Sequence, residues 1–184
     1  MNAMMKEEVR AINTKKVLIM GLDNSGKTSI VLCLMGVKNL SSFSSLKPTI
    51  GVKINKFQAL GSDYSIWDFG GQEQFREGYL NDFETHIKEI KKFIYVLDFQ
   101  DRDRYDITLE YLGKIIALLR KHKRDIDFSI FLHKYDPDLD FKNSKFNENA
   151  ISDLITSIKR SIPSDFTYQI YKTSIYTVFQ KLGI

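Results

Sequence analysis

Gly21-Leu22-Asp23-Asn24-Ser25-Gly26-Lys27-Thr28 carries the densest chemistry in the chain. It matches the G-x-x-x-x-G-K-S/T pattern in full, between the apolar run Lys16–Met20 and a helical segment. A loop of this kind wraps phosphate oxygens with backbone N–H groups, and the helix N-terminus that follows adds positive potential. Gly26 lets the backbone come close, Lys27 reaches the β- and γ-phosphates, and the Thr28 hydroxyl is a ligand for Mg²⁺. ATPases, nucleotide kinases and GTPases all use such a loop. It therefore specifies phosphate and leaves the base open.

Further along, Ile66-Trp67-Asp68-Phe69-Gly70-Gly71-Gln72 places an acid at the end of an apolar run. An Asp68 carboxylate emerging at the carboxyl edge of a sheet can hold Mg²⁺ through a water. Gly70-Gly71 frees backbone for a γ-phosphate contact, and Gln72 can orient an attacking water. Between the two motifs lies Leu40-Ser41-Ser42-Phe43-Ser44-Ser45-Leu46-Lys47-Pro48-Thr49-Ile50-Gly51. It has little to bury and reads as a mobile loop, with Thr49 placed to close over Mg²⁺ and the γ-phosphate. An ordinary surface loop is the plainer reading of the same residues.

Ile130-Phe131-Leu132-His133-Lys134-Tyr135-Asp136 closes another apolar run. Asp136 can accept from guanine N1 and its exocyclic amine. Adenine lacks these paired donors and would leave a carboxylate unpaired. The stem of Lys134 can lie along the base. In Lys172-Thr173-Ser174-Ile175-Tyr176, a backbone N–H near Ile175 can meet guanine O6 and Tyr176 can cover the base.

These residues need a scaffold, and the pattern supplies one. Strand-like runs occur at Lys16–Met20, Lys53–Leu60, Tyr64–Asp68, Phe93–Phe99, Phe128–His133 and Phe166–Lys172. Helical spacing appears over Gly26–Met35, with Gly36 as its cap, and in the stripe Leu80, Phe83, Ile87, Ile90. It recurs at Leu109, Leu112, Ile116, Leu119 and at Ile151, Leu154, Ile155, Ile158, and a last short helix is expected over Ser174–Leu182. Alternation of the two predicts an α/β fold with a mostly parallel, doubly covered sheet. Leu60-Gly61-Ser62-Asp63 leaves room only for a hairpin.

Composition sets the outer bounds. The 184 residues are 43% hydrophobic and 27% charged, enough for one globular domain. The apolar run Ile30–Met35 is far too short to span a membrane, and the charged first residues do not read as a signal peptide. A single cysteine, Cys33, excludes an internal disulfide and is expected in the core; the simplest setting is reducing and cytoplasmic. A net charge of +4 allows contact with an acidic membrane surface without predicting it, and no nucleic-acid binding is expected. Arg120-Lys121-His122-Lys123-Arg124 reads as cations favouring a helix C-terminus. Met1, Met5, Val9 and Ile12 form a short stripe that fits a packed or frayed end better than a lipid-binding helix.

Taken together, the motifs resemble the Ras-like small GTPases over nearly the whole chain. The phosphate loop and Pro48-Thr49-Ile50-Gly51 are similar to the Arf family, while His133-Lys134-Tyr135-Asp136 and Thr173-Ser174-Ile175-Tyr176 look like Rag/Gtr proteins. The resemblance implies a P-loop, Ras-like three-layer α/β/α fold with six strands, the second antiparallel. It implies a domain over 15–184 behind an N-terminal extension over 1–14. It implies Mg²⁺ with GTP or GDP, Asp23, Asn24, Ser25, Gly26, Lys27, Thr28 and Ser29 around the phosphates, and Thr28 with Thr49 on the metal. Asp68 would act through water, Gly71 would meet the γ-phosphate, Gln72 and Lys27 would serve hydrolysis, and His133, Lys134, Asp136, Ser174 and Ile175 would form the base pocket.

Departures from the pattern also carry expectations. Rag/Gtr proteins have a roadblock domain after this one, and the sequence stops at Ile184. Arf proteins often carry a myristoylated glycine where Asn2 stands. Asp23 puts an acid beside the phosphates, which would slow turnover or prepare the site for a partner's arginine. The expected function is a switch that hydrolyses GTP slowly and changes its loops for effector and regulatory proteins. The alternative is a nucleotide-binding scaffold with negligible hydrolysis, working by dimerisation with a second GTPase or with a roadblock-type protein. A P-loop kinase or ATPase is disfavoured by Asp136.

Overall fold

Strand β1 (Lys15–Met20) starts at the surface and then buries four residues in a row, as a strand covered on both faces must. Val17 and Ile19 enter one core, Leu18 and Met20 the other. A computed structural model of the chain describes residues 14–37, 39–122, 126–137, 139 and 148–175. The N-terminal stripe, Lys123, Arg124, Tyr176 and the rest of the last expected helix lie outside these residues.

The remaining strands are β2 (Val52–Ala59), β3 (Ser62–Phe69), β4 (Ile90–Asp98), β5 (Asp127–His133) and β6 (Gln169–Lys172). They form one six-stranded sheet in the order β2-β3-β1-β4-β5-β6. Only β2 and β3 pair antiparallel; every other neighbouring pair is parallel. The hairpin closes through Leu60 and Gly61, both at positive φ (48° and 70°), which suits the right-handed twist of the flanking strands. The chain leaves β1 toward β3 on one side and reaches β4 on the other. Its carboxyl end is therefore a switch point, where open α/β sheets hold ligands.

Helix α1 (Lys27–Leu34) covers one face of the sheet, packing Ile30 and Val31 against Val17, Ile19, Ile66, Ile94 and Val96. The short helix α2 (Leu40–Ser44) follows it, then α3 (Glu73–Asn81) and α4 (Phe83–His86). Helices α5 (Tyr105–Lys121) and α6 (Glu148–Ser161) cover the opposite face, over Phe93, Tyr95, Phe128 and Ile130. A 3₁₀ turn, Arg102–Arg104, leads into α5.

Several expectations need correction. Cys33 is exposed rather than core. Helix α1 is apolar nearly all round, so spacing alone could not pick the face that packs; Leu34 and Met35 are exposed beside Cys33. The stripe from Leu80 to Ile90 is not one helix. It breaks at Asp82, and Ile90 opens β4 after Glu89 turns with φ 58°. The serine-rich stretch holds α2, whose N-cap Asn39 accepts from the Ser41 N–H at 3.0 Å. Strand β6 begins only at Gln169, and Ser174 and Ile175 are not helical. The α1 cap is as expected: Gly36, at φ 80°, follows the helix, and Val37 N–H bonds Leu32 O at 3.0 Å. Among the described residues no helix is long and apolar enough to cross a membrane.

Tyr95 links β4 to α5 from inside the core. Its hydroxyl donates to Thr108 O at 2.7 Å and lies 2.9 Å from Thr108 Oγ1. Burial pushes its pKa up, so it remains a neutral donor. Tyr95→Phe should cost about 1–2 kcal/mol in urea unfolding, because two buried oxygens lose their partner. An unchanged midpoint would show that the hydroxyl contributes nothing.

Candidate functional site

The phosphate loop leaves β1 at Gly21 and enters α1 at Lys27. A cavity of about 490 Å³ opens above it, within the range of small-molecule sites. Asp23, Asn24, Gly26, Lys27, Thr28 and Ser29 line it from the loop, and Thr49, Gly71 and Gln72 line it from the facing segments. Ser25 is buried beneath. Lys27 Nζ donates to Leu22 O at 2.6 Å. Burial lowers its pKa to about 8, against the opposing pull of Asp68 and Asp23.

The three residues expected around a metal meet in space. Thr28 Oγ1 donates to Asp68 Oδ2 at 2.6 Å, and Thr49 Oγ1 lies 3.0 Å from Thr28 Oγ1 and 3.3 Å from the same carboxylate oxygen. Asp68 is fully buried, and burial pushes its pKa up while the Thr28 hydrogen bond and Lys27 oppose this. Its Oδ1 has no partner among the described residues. Two hydroxyls and a buried carboxylate with an unsatisfied oxygen are hard donors of the kind Mg²⁺ takes. Gln72 Oε1 is likewise buried and unpartnered. Among the described residues no cluster of three His, Cys, Asp or Glu side chains forms another metal site.

The facing segments are stitched together through one carbonyl. Gly51 O accepts from Gly70 N–H at 2.8 Å and from Tyr79 O–H at 2.9 Å. Tyr79 stands on α3, so the Thr49 segment, the Gly71 segment and that helix are joined directly. Sequence reasoning missed Tyr79.

At the carboxyl ends of β4 and β5, Lys134 Nζ pairs with Asp98 Oδ2 at 2.6 Å. The Asp136 carboxylate accepts from Ser174 Oγ and from Gln100 Nε2, the latter at 3.0 Å. Gln100 also donates to Lys134 O at 2.9 Å. Ile175 is exposed at the rim. His133 behaves differently from its neighbours. It is almost fully buried, its Nδ1 is 2.9 Å from Thr173 Oγ1, and it packs on the phosphate loop so closely that a Cβ on Gly26 would stand 2.4 Å from its Cδ2. His133 is thus a wedge between the phosphate loop and the end of β6. Asp98 and Gln100 were also missed, though the carboxyl end of β4, beside β5 in the sheet, is where they could have been sought.

A family model described as the Gtr1/RagA G protein conserved region matches residues 16–181. The chain belongs to the Gtr1/RagA family. This Gtr1/RagA chain is also 33% identical over 121 residues to ADP-ribosylation factor-like protein 5A of Rattus norvegicus and of Homo sapiens, covering 66% of the chain and 62% of each relative. It is 29% identical over 177 residues to the GTP-binding protein GTR1 of Saccharomyces cerevisiae, covering 92% of the chain and 56% of that protein. The chain therefore spans about three fifths of the length of these curated relatives. Among solved structures, the Arl6 BBS3 small GTPase of Trypanosoma brucei with bound GppNp superposes with a TM-score of 0.61 at 22% identity, covering 88% of this chain and 87% of that one. The likeness establishes the P-loop GTPase fold, with its mixed six-stranded sheet.

Wedging His133 under the loop has a consequence for pH. Burial lowers its pKa from 6.5 to about 4, with Asp98 and Asp136 raising it and Lys134 lowering it further. The unfolded chain therefore takes up a proton first as pH falls. Stability should be full above pH 6.5 and decline toward pH 4, by roughly 3 kcal/mol at most. Urea midpoints for wild type and His133→Asn between pH 7 and 4.5 check this: the variant should lose less over that interval, and parallel curves would contradict the assignment.

Proposed function

We propose that this chain is a guanine-nucleotide switch that binds GTP and GDP with Mg²⁺ and hydrolyses GTP slowly. The observation that carries this reading is the meeting of Thr28 and Thr49, which line the cavity, with the buried Asp68, whose Oδ1 is unsatisfied. Thr28, Thr49 and, through water, Asp68 would hold Mg²⁺, which when bound neutralises charge on the β- and γ-phosphates. Lys27 leaves Leu22 O for a phosphate oxygen. The amide of Gly71 meets the γ-phosphate, and Gln72 turns its free carboxamide oxygen to an in-line water. Asp136, held by Ser174, accepts from guanine.

The switch follows from the shared Gly51 carbonyl. Ordering Thr49 and Gly71 around a γ-phosphate tightens both segments and Tyr79 at once, and hydrolysis loosens them together. The exposed Ile50 and Ile54 flank this carbonyl and change their setting with it. Effector and regulatory proteins, among them a roadblock-type protein or a second GTPase, are the partners this reading invites. A cytoplasmic setting, with contact at a membrane surface allowed, is part of the same proposal.

Single-turnover hydrolysis of GTP with Mg²⁺ tests it, using wild type and Gln72→Leu. Turnover by the wild type that falls at least about tenfold in Gln72→Leu is expected, since water orientation is lost. Tight binding of GTP without turnover in either protein would favour the scaffold instead.

A further inference from the structure

Asp23 is an acid on the wall of a cavity read here as a polyphosphate site. Left alone, its charge would repel the ligand. The structure gives it a partner 81 positions away: Arg104 Nη1 donates to Asp23 Oδ1 at 2.9 Å and Nη2 to Asp23 O at 3.2 Å. The same guanidinium is anchored from behind, its Nε donating to Asp101 Oδ2 at 2.6 Å. Arg104 thus grips both the side chain and the backbone of the loop, in the planar fork that arginine alone provides.

Direct contact with the terminal phosphate is the obvious alternative, and the lining of the cavity speaks against it. Arg104 does not line the phosphate cavity. It lines a separate small cleft with Leu22, Asp23, Ser25, Asp98 and Thr108, so that Asp23 borders both. The pair is partly exposed, with side chains 30% and 44% accessible, so it adds little to folding. Its effect must be sought in the field at the loop.

We propose that Arg104 is a positioning residue for nucleotide discrimination, holding the Asp23 carboxylate toward the rear of the phosphate loop and cancelling its charge at the ligand's terminal phosphate. The inference rests on the polyphosphate reading above but adds a role that the reading does not contain. Because the triphosphate carries one more negative charge than the diphosphate, the masking favours GTP over GDP. It also makes Asp23 answerable to a residue of this chain, where the sequence alone suggested a partner's arginine.

Dissociation constants for Mg²⁺-GDP and a Mg²⁺-bound nonhydrolysable GTP analogue test this on wild type, Arg104→Ala, Asp23→Asn and the double variant. Arg104→Ala should weaken the analogue about fivefold more than GDP. Asp23→Asn alone should shift preference the other way, because it removes the acid's charge while the guanidinium stays in place on Asp101, and the double variant should return near the wild-type ratio. An unchanged ratio in Arg104→Ala, or the same loss with and without the Asp23 carboxylate, would overturn the proposal while leaving nucleotide binding intact. If Arg104→Ala does not fold, Asp23→Asn decides: a preference shifted toward GDP contradicts the masking. No binding of either nucleotide by the wild type would remove the polyphosphate reading and this inference together.

Discussion

A Cβ on Gly71 would stand 2.1 Å from the Asp23 backbone nitrogen and 2.2 Å from the Leu22 carbonyl carbon. The segment that follows β3 therefore lies directly against the phosphate loop, backbone on backbone. The same closeness recurs on the other flank, where the His133 ring fills the space beside Gly26. The loop is held between two neighbours with no room for side chains, and this contact fixes where its N–H groups point. Thr28, Asp68 and Gln72 take their places beside that grip.

Such closeness needs a compensating device, since buried charges collect there. Lys27 and Asp68 are buried within a few residues of bare backbone, and each is displaced from its ordinary ionisation by loss of water. Hydrogen bonds from Thr28 and Thr49 offset part of that cost at Asp68. An unsatisfied carboxylate oxygen and an unsatisfied carboxamide oxygen remain. Buried polar atoms are rarely left alone; Gln72 lines the cavity, and Asp68 bonds to Thr28 and Thr49, which line it too. The sheet beneath them carries a separate core on each face.

The sheet was legible because its strands are short apolar runs punctuated by turn residues, and the loop because its spacing is chemically demanding. The meeting of Thr28 with Asp68 was legible for the same reason: both sit at the ends of elements that the pattern located. Where the reading failed, the information was not local. Cys33 lies on a helix whose apolar residues ring the axis, so only packing chooses its face. Ile90 continued a helical spacing by coincidence and was recruited by β1 instead. His133 packs under Gly26, a closeness that its place in the motif does not show. Arg104 meets Asp23 from 81 positions away in sequence, a pairing that no short pattern encodes.

The central claim is that the carboxylate of Asp136, the phosphate loop and the Thr28–Asp68 cluster form one site for a guanine nucleotide. Competition between Mg²⁺-GTP and Mg²⁺-ATP for the purified chain tests it most directly. The account predicts that GTP binds at least about 100-fold more tightly, because adenine lacks the paired donors that guanine offers the Asp136 carboxylate. Comparable affinity for the two, or binding of neither, would contradict it.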